Sequence, residues 1–111
     1  MQTQIKQILG PYRDLINSID KEIIELLRQR YDVIEQVGQI KAREGIASVL
    51  QDRVEEVRER AAAMAAERGL DEVFIRDLYA QLIAHSCNRE EEIIQAARAE
   101  TSTTARKAVS R

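Results

Sequence analysis

Apolar residues return at steps of three and four along three stretches of this chain, the period of a helix with one buried face. In the first stretch the stripe is Ile16, Ile19, Ile23, Leu26, Val33 and Val37. It predicts one helix from about residue 12 to residue 43, interrupted only by Gly38, which costs ~1 kcal/mol relative to Ala. The preceding "MQTQIKQIL" is weakly patterned and reads as a flexible lead-in over residues 1–9, closed by Gly10 and by Pro11, which suits a first helical turn. In "EGIAS", Gly45 supplies a stop and Ser48 a cap for a second helix over about 49–68. Its apolar steps are Leu50, Val54, Val57, Ala61 and Met64. Gly69 ends that helix and Asp71 caps a third, whose face runs Ile75, Leu78, Leu82, Ser86, Glu90, Ile93 and Ala97. The helical domain therefore spans 10–98. The remainder, "AETSTTARKAVSR" (99–111), is polar and lacks a stripe, so a mobile tail is expected.

An all-α protomer of three helices follows, and its first helix is too long for its own domain. Some 32 helical residues extend about 48 Å. A compact chain of this length has a radius of gyration near 13 Å, roughly 35 Å across as a uniform sphere. The surplus helix would carry an apolar seam into water. A second copy packed alongside buries both seams, so an intertwined homodimer about a twofold axis is expected.

Composition narrows the picture. Hydrophobic residues make up 44% of the 111 but aromatic ones only 4%, so the core must be aliphatic. A net charge of −2 with mixed signs leaves no basic footprint for nucleic acid and no polybasic membrane patch. No apolar run approaches the roughly 20 residues needed to span a bilayer, and no signal-like apolar stretch follows Met1. Cys87 is the single cysteine and His85 the single histidine, which supports neither a disulfide framework nor a transition-metal site. A cytoplasmic protein without a transition-metal site is the expectation.

The chemistry sits where polar residues interrupt these faces. Arg30 takes the step between Leu26 and Val33, and Lys41 lies one step beyond Val37. Arg53 borders the inner face of the second helix, and Ser86 and Glu90 share a face of the third. Arg13 lies near the seam at the start of the first helix and, in an intertwined dimer, would reach the partner's cavity. An ionised group facing a helix interior is costly unless it meets an anion. Each residue also has a plainer role. Arg30 can snorkel at a rim, Lys41 can complement a helix C-terminus, and Arg53 can pair with Glu56. Ser86 can bond back to a carbonyl, and Glu90 opens the charge run "EEEII". Taken together they describe a cationic pocket in an aliphatic bundle. Two guanidinium forks match two carboxylates, which points to a compact dicarboxylate ligand. His85 and Cys87 flank Ser86 but point around the helix, so nucleophilic catalysis has little support. Catalysis would come from holding a shape and stabilising developing charge.

From Arg13 to about Ile94 the sequence resembles the all-helical chorismate mutases, through "YRDLINSIDKEIIELLRQRYDVIEQVGQIK", "DRVEEV" and "LYAQLIAHSCNREEEI". The resemblance implies an intertwined three-helix dimer with two identical sites, no cofactor, and the Claisen rearrangement of chorismate to prephenate. Carried over by position, Arg30 and the partner's Arg13 would clamp the substrate carboxylates, with Arg53 assisting. Lys41 would bond the ether oxygen and a carboxylate, Ser86 would touch the ring carboxylate, and Glu90 would face the ether oxygen from the other side. A protonated Glu90 could donate a hydrogen bond there, whereas an ionised one would repel the growing charge.

The family often has an acidic residue after the Arg of the second helix, to meet the C4 hydroxyl. Here Val54 stands in that place, and Leu50 occupies another position that is often polar. The C4 contact is thereby changed. "RV" resembles the isochorismate pyruvate lyases, and it also resembles mutases acting on 4-amino-4-deoxychorismate, in which "CNREEE"-like segments recur. The alternatives are such a lyase, or a non-catalytic helical dimer whose seam cations form interhelical salt bridges.

Overall fold

A computed structural model describes the backbone of residues 2–109 and the side chains of residues 2–102. It contains three helices, α1 (Gln2–Glu44), α2 (Gln51–Glu67) and α3 (Glu72–Val109), and no strand among the described residues. None of the helices is long and apolar enough to cross a membrane. By internal contacts the chain divides into two units, Met1–Val33 and Ile34–Arg111, with α1 contributing to both.

In the first unit the helix starts earlier than the sequence pattern suggests. Residues 2–9, expected as a flexible lead-in, are helical, and Pro11 lies inside α1. Pro has a helix-compatible φ, so the chain can continue through it, at the loss of one hydrogen bond and a clash worth about 3 kcal/mol. The straight-chain Gln, Lys and Leu residues of "QTQIKQIL" favour helix on the N-terminal side of that defect. The predicted stripe is present as a helical face, and Ile16, Ile19, Ile23, Leu26 and Val33 along it are all exposed.

The second unit holds the core. Ala61, Ala62 and Ala65 of α2 and Ile83, Ile93 and Ile94 of α3 are buried, and α2 packs along α3. Small alanines let the two backbones come close. They also turn the inner face of α2 slightly from its predicted line, leaving Met64 exposed and burying Ala65. The Arg76 guanidinium ties α3 to α2, its Nε donating to both Glu59 carboxylate oxygens at 3.2 and 3.1 Å. Arg89 ties α3 to α1 by bonding both oxygens of Glu35, with Nη2 at 3.1 Å from Oε2.

The helix ends follow the turn chemistry of the sequence. Gly45 and Gly69 adopt φ of +67° and +69°. Each lets the residue after it bond back, Ile46 N to Lys41 O at 2.9 Å and Leu70 N to Ala65 O at 2.8 Å, which closes α1 and α2. Asp71 Oδ1 accepts from Phe74 N at 3.1 Å and caps α3. Ser48 does not cap α2. That helix begins at Gln51 with Leu50 as an N-cap that makes no side-chain bond, and the Ser48 carbonyl accepts from Lys41 of α1. At the far end, the backbone of residues 99–109 continues α3 into the segment expected as a mobile tail. Ala, Arg and Glu through residue 100 are strong helix formers, and the Thr101 hydroxyl bonds back to Ala97 O at 3.0 Å. Residues 110 and 111 of the expected tail lie outside the described residues.

Gly38 decides how closely the end of α1 approaches α3. It is buried, and a Cβ there would lie 2.6 Å from Ile93 Cδ1 and 3.5 Å from the Glu90 Cα. Replacing it by Ala gains about 1 kcal/mol of helix propensity. The same methyl forces the tip of Ile93 off its rotamer, at about 0.5–1.5 kcal/mol. Gly38→Ala should therefore leave the urea midpoint almost unchanged. Gly38→Leu, too large for rotamer adjustment alone, should lose about 1–3 kcal/mol. Equal stability of the Leu variant would show that α1 and α3 do not meet at this point.

Candidate functional site

Lys41 lies one turn beyond Gly38 on α1, facing α3. Its Nζ stands 2.6 Å from Glu90 Oε1, and the two side chains are 14% and 5% exposed. The same ammonium donates to the Ser48 carbonyl at 3.0 Å. Its approach to Glu90 satisfies the distance of an ion pair but not the angle of a hydrogen bond. Among the described residues, Glu90 Oε1 is thus the buried side-chain oxygen without a hydrogen-bond donor. The opposite charge alone makes burial of this carboxylate tolerable.

Ser86 lies one turn before Glu90 on α3 and is buried beside it. Its hydroxyl donates to Leu82 O at 2.9 Å, the back-bond of a helical serine. The oxygen lone pairs remain able to accept. Ser86 and Glu90 thus share a buried face of α3, and Lys41 meets Glu90 there.

Other expected residues are placed differently. Arg53, in the first turn of α2, is exposed and donates to Glu56 Oε1 at 2.9 Å, three residues on. Its plainer role is the one it plays in this structure. Val54 is half-buried and Leu50 exposed, so an apolar pair, not an acidic one, precedes and follows Arg53. Arg13 and Arg30 belong to the first unit, where Arg13 is exposed and Arg30 half-buried. No strained backbone occurs at any of these positions.

Two residues that the sequence reading did not place at the site take part in it. The Ser48 carbonyl receives Lys41, and every residue has a carbonyl, so composition carries no signal for that contact. Glu91 appears in the sequence only as part of a charge run. In the structure Gln95 Nε2 donates to its Oε1 at 2.8 Å. That bond, a second from the Ser48 hydroxyl, and the Arg98 charge hold its carboxyl below the usual carboxylate range, against partial burial. Lys41, Ile46, Ser48, Glu91, Ile94 and Arg98 are among the residues lining an open groove of about 570 Å³. Of the sequence-derived candidates Lys41 alone lines it, so this groove is not the place where they converge.

A model of the chorismate mutase type II family matches residues 12–91. The 4-amino-4-deoxychorismate mutase of Streptomyces venezuelae is 32% identical over 79 residues, which cover 71% of this chain and 77% of that protein. The 4-amino-4-deoxychorismate mutase of Streptomyces pristinaespiralis is 30% identical over 86 residues, 78% of this chain and 67% of its own. The isochorismate pyruvate lyase of Pseudomonas aeruginosa is 35% identical over 75 residues, 68% of this chain and 73% of its own.

Removing one member of the Lys41–Glu90 pair strands the other charge. At one fixed protein concentration, Lys41→Met should lower the unfolding free energy by about 3 kcal/mol. Lys41→Met combined with Glu90→Leu should recover most of that loss. A single-variant loss below about 1 kcal/mol, as for a solvated pair, would contradict the burial described here.

Proposed function

The chain belongs to the chorismate mutase type II family, and we propose that it catalyses the Claisen rearrangement of chorismate to prephenate or the same rearrangement of 4-amino-4-deoxychorismate. It is an isomerase of the chorismate mutase type. The observation that carries the site assignment is the buried Lys41–Glu90 pair, with the ammonium 2.6 Å from the carboxylate oxygen. Such a pair is suited to opening around an incoming ether oxygen.

The working unit is a homodimer of the helical domain, 10–98. Its support is the exposed apolar stripe of α1, which a second copy would cover. Arg30 and the partner's Arg13 clamp the two carboxylates of the substrate and hold it folded, so that C1–C9 bond formation becomes a matter of orientation. Arg53 assists after exchanging Glu56 for a carboxylate. Ser86 meets the ring carboxylate. The C–O bond breaks ahead of C–C formation, and negative charge grows on the ether oxygen. Lys41 stabilises that charge, and Glu90 faces the same oxygen from the opposite side, donating to it when protonated. The chemistry uses no cofactor. Leu50 and Val54 face the C4 substituent with apolar surface in place of the acidic residue that would meet a C4 hydroxyl. The names of the two Streptomyces relatives favour the 4-amino compound. The name of the lyase relative keeps isochorismate as the second reading, with the same clamp. No part of this reading requires nucleic acid or a membrane, and a cytoplasmic location fits a soluble dicarboxylate substrate.

Incubated separately with chorismate, isochorismate and 4-amino-4-deoxychorismate, the chain should convert one of them. Prephenate or its amino analogue identifies the mutase, and salicylate with pyruvate identifies the lyase. With the active substrate, Arg13→Ala and Lys41→Ala homodimers should each lose at least a hundredfold in kcat/KM, about 2.7 kcal/mol or more. Mixed after unfolding and joint refolding, they should regain about a quarter of wild-type activity. Half of the dimers are then hybrids, and each hybrid has one site with both residues intact. No recovery on mixing would contradict the shared site, and no turnover of any substrate would leave the seam cations structural.

A further inference from the structure

We propose that Glu35 and Arg89 are positioning residues for Glu90: their two-point ion pair sets the rotation of α3 against the end of α1 and keeps it when the substrate parts Glu90 from Lys41. The inference rests on the roles given to Lys41 and Glu90 under the proposed function.

Where the end of α1 meets α3, a close packing contact lies between two ion pairs. In the middle Gly38 faces Ile93, and an added Cβ would come 2.6 Å from Ile93 Cδ1. Successive residues of a helix turn by about 100°. On α1, Glu35 and Lys41 therefore lie about 60° to either side of Gly38. On α3, Arg89 and Glu90 lie about 40° and about 60° to either side of Ile93. One flank of the contact thus carries Glu35 with Arg89, and the other carries Lys41 with Glu90.

The two flanks are built differently. Arg89 Nε donates to Glu35 Oε1, and Nη2 donates to Glu35 Oε2 at 3.1 Å. Arg89 Nη1 donates to Glu92 Oε2 at 3.2 Å, so the guanidinium plane is held from its own helix as well. A planar fork on two oxygens fixes direction along with distance. The Lys41 ammonium is a point charge 2.6 Å from Glu90 Oε1, and that contact is unaligned.

A glycine against the tip of one isoleucine is a narrow contact, about which α3 can roll. The ion pairs resist that roll from opposite sides while both are closed. Entry of the ether oxygen between Lys41 and Glu90 opens one of them. From that point the Glu35–Arg89 fork carries the constraint. Side-chain tips lie about 5–6 Å from a helix axis, so a roll of about 10° moves the Glu90 carboxyl by about 1 Å. A displacement of that size can cost up to a hundredfold in rate. Glu90 acts on charge that develops in the transition state, so the effect appears in kcat more than in KM.

The test is kinetic, on the full chain with its active substrate. Arg89→Lys keeps the charge but not the fork, and should lower kcat about tenfold with KM within about twofold of wild type. Arg76→Lys is the control. It alters the same kind of contact, a guanidinium on both Glu59 oxygens, about 21 Å along α3 from Glu90. Its kcat should stay within about twofold of wild type. In a Glu90→Ala background, Arg89→Lys should cost nothing further, because it acts through the group already removed. If Glu90→Ala does not fold, the contrast between Arg89→Lys and Arg76→Lys still decides the point. An unchanged kcat in Arg89→Lys, an equal loss in Arg76→Lys, or a loss that multiplies with that of Glu90→Ala would overturn the positioning role. A wild type silent on all three substrates would instead overturn the reading of the site, and the positioning role with it.

Discussion

The missing side chain at Gly38 lets the end of α1 lie directly against α3, where an added Cβ would overlap the tip of Ile93. One turn further along α1, that same approach brings the Lys41 ammonium against Glu90. A larger residue at 38 would separate the helices and leave two buried charges without each other. The electrostatics of the site thus depend on a packing constraint. Arg89 and Glu35 reinforce it by joining the same two helices with a two-point ion pair.

The pair so formed is a poor way to stabilise a small domain. An apolar pair of similar volume would commonly serve stability as well or better. Here the unfavourable features are concentrated at one spot, with a nearly enclosed carboxylate and an oxygen without a donor. A pre-arranged charge in a dry site is, however, what stabilisation of a developing ether oxyanion requires, because little reorganisation remains when the bond breaks. The family to which the chain belongs performs a reaction of that kind. Under the proposed function, the cost in stability and the benefit in rate have the same origin.

Local turn chemistry was plainly legible in the sequence. Gly45, Gly69 and Asp71 end and begin helices as their residue types require, and the stripe through Ser86, Glu90 and Ile93 lies on the buried face. The cation at 41 was legible too, since a lysine continuing an apolar seam calls for an anion, and Glu90 supplies one. Less legible was whatever depends on competition between partners. Ser48 has the residue type of a cap, but its carbonyl accepts from Lys41 and α2 starts two residues later than predicted. Pro11 reads as a helix start only if its neighbours resist helix, and they do not. Arg53 illustrates the limit in the other direction. Its nearest anion lies on its own helix, so the local pair forms in this structure and the expected ligand role is a matter for the bound state.

The central claim is that the Lys41–Glu90 site accepts a compact dicarboxylate ether, and it can be tested without turnover. A stable bicyclic ether dicarboxylate shaped like the rearranging ring should bind more tightly than substrate, as mimics of a transition state do. The decisive measurement is the melting temperature of the wild-type chain with and without that compound. At about a hundred times its dissociation constant it should stabilise the fold by about 2.7 kcal/mol, and Lys41→Met should lose most of the shift. An unchanged melting temperature in wild type, or an equal rise in Lys41→Met, would contradict the account and return the seam cations to a purely structural role.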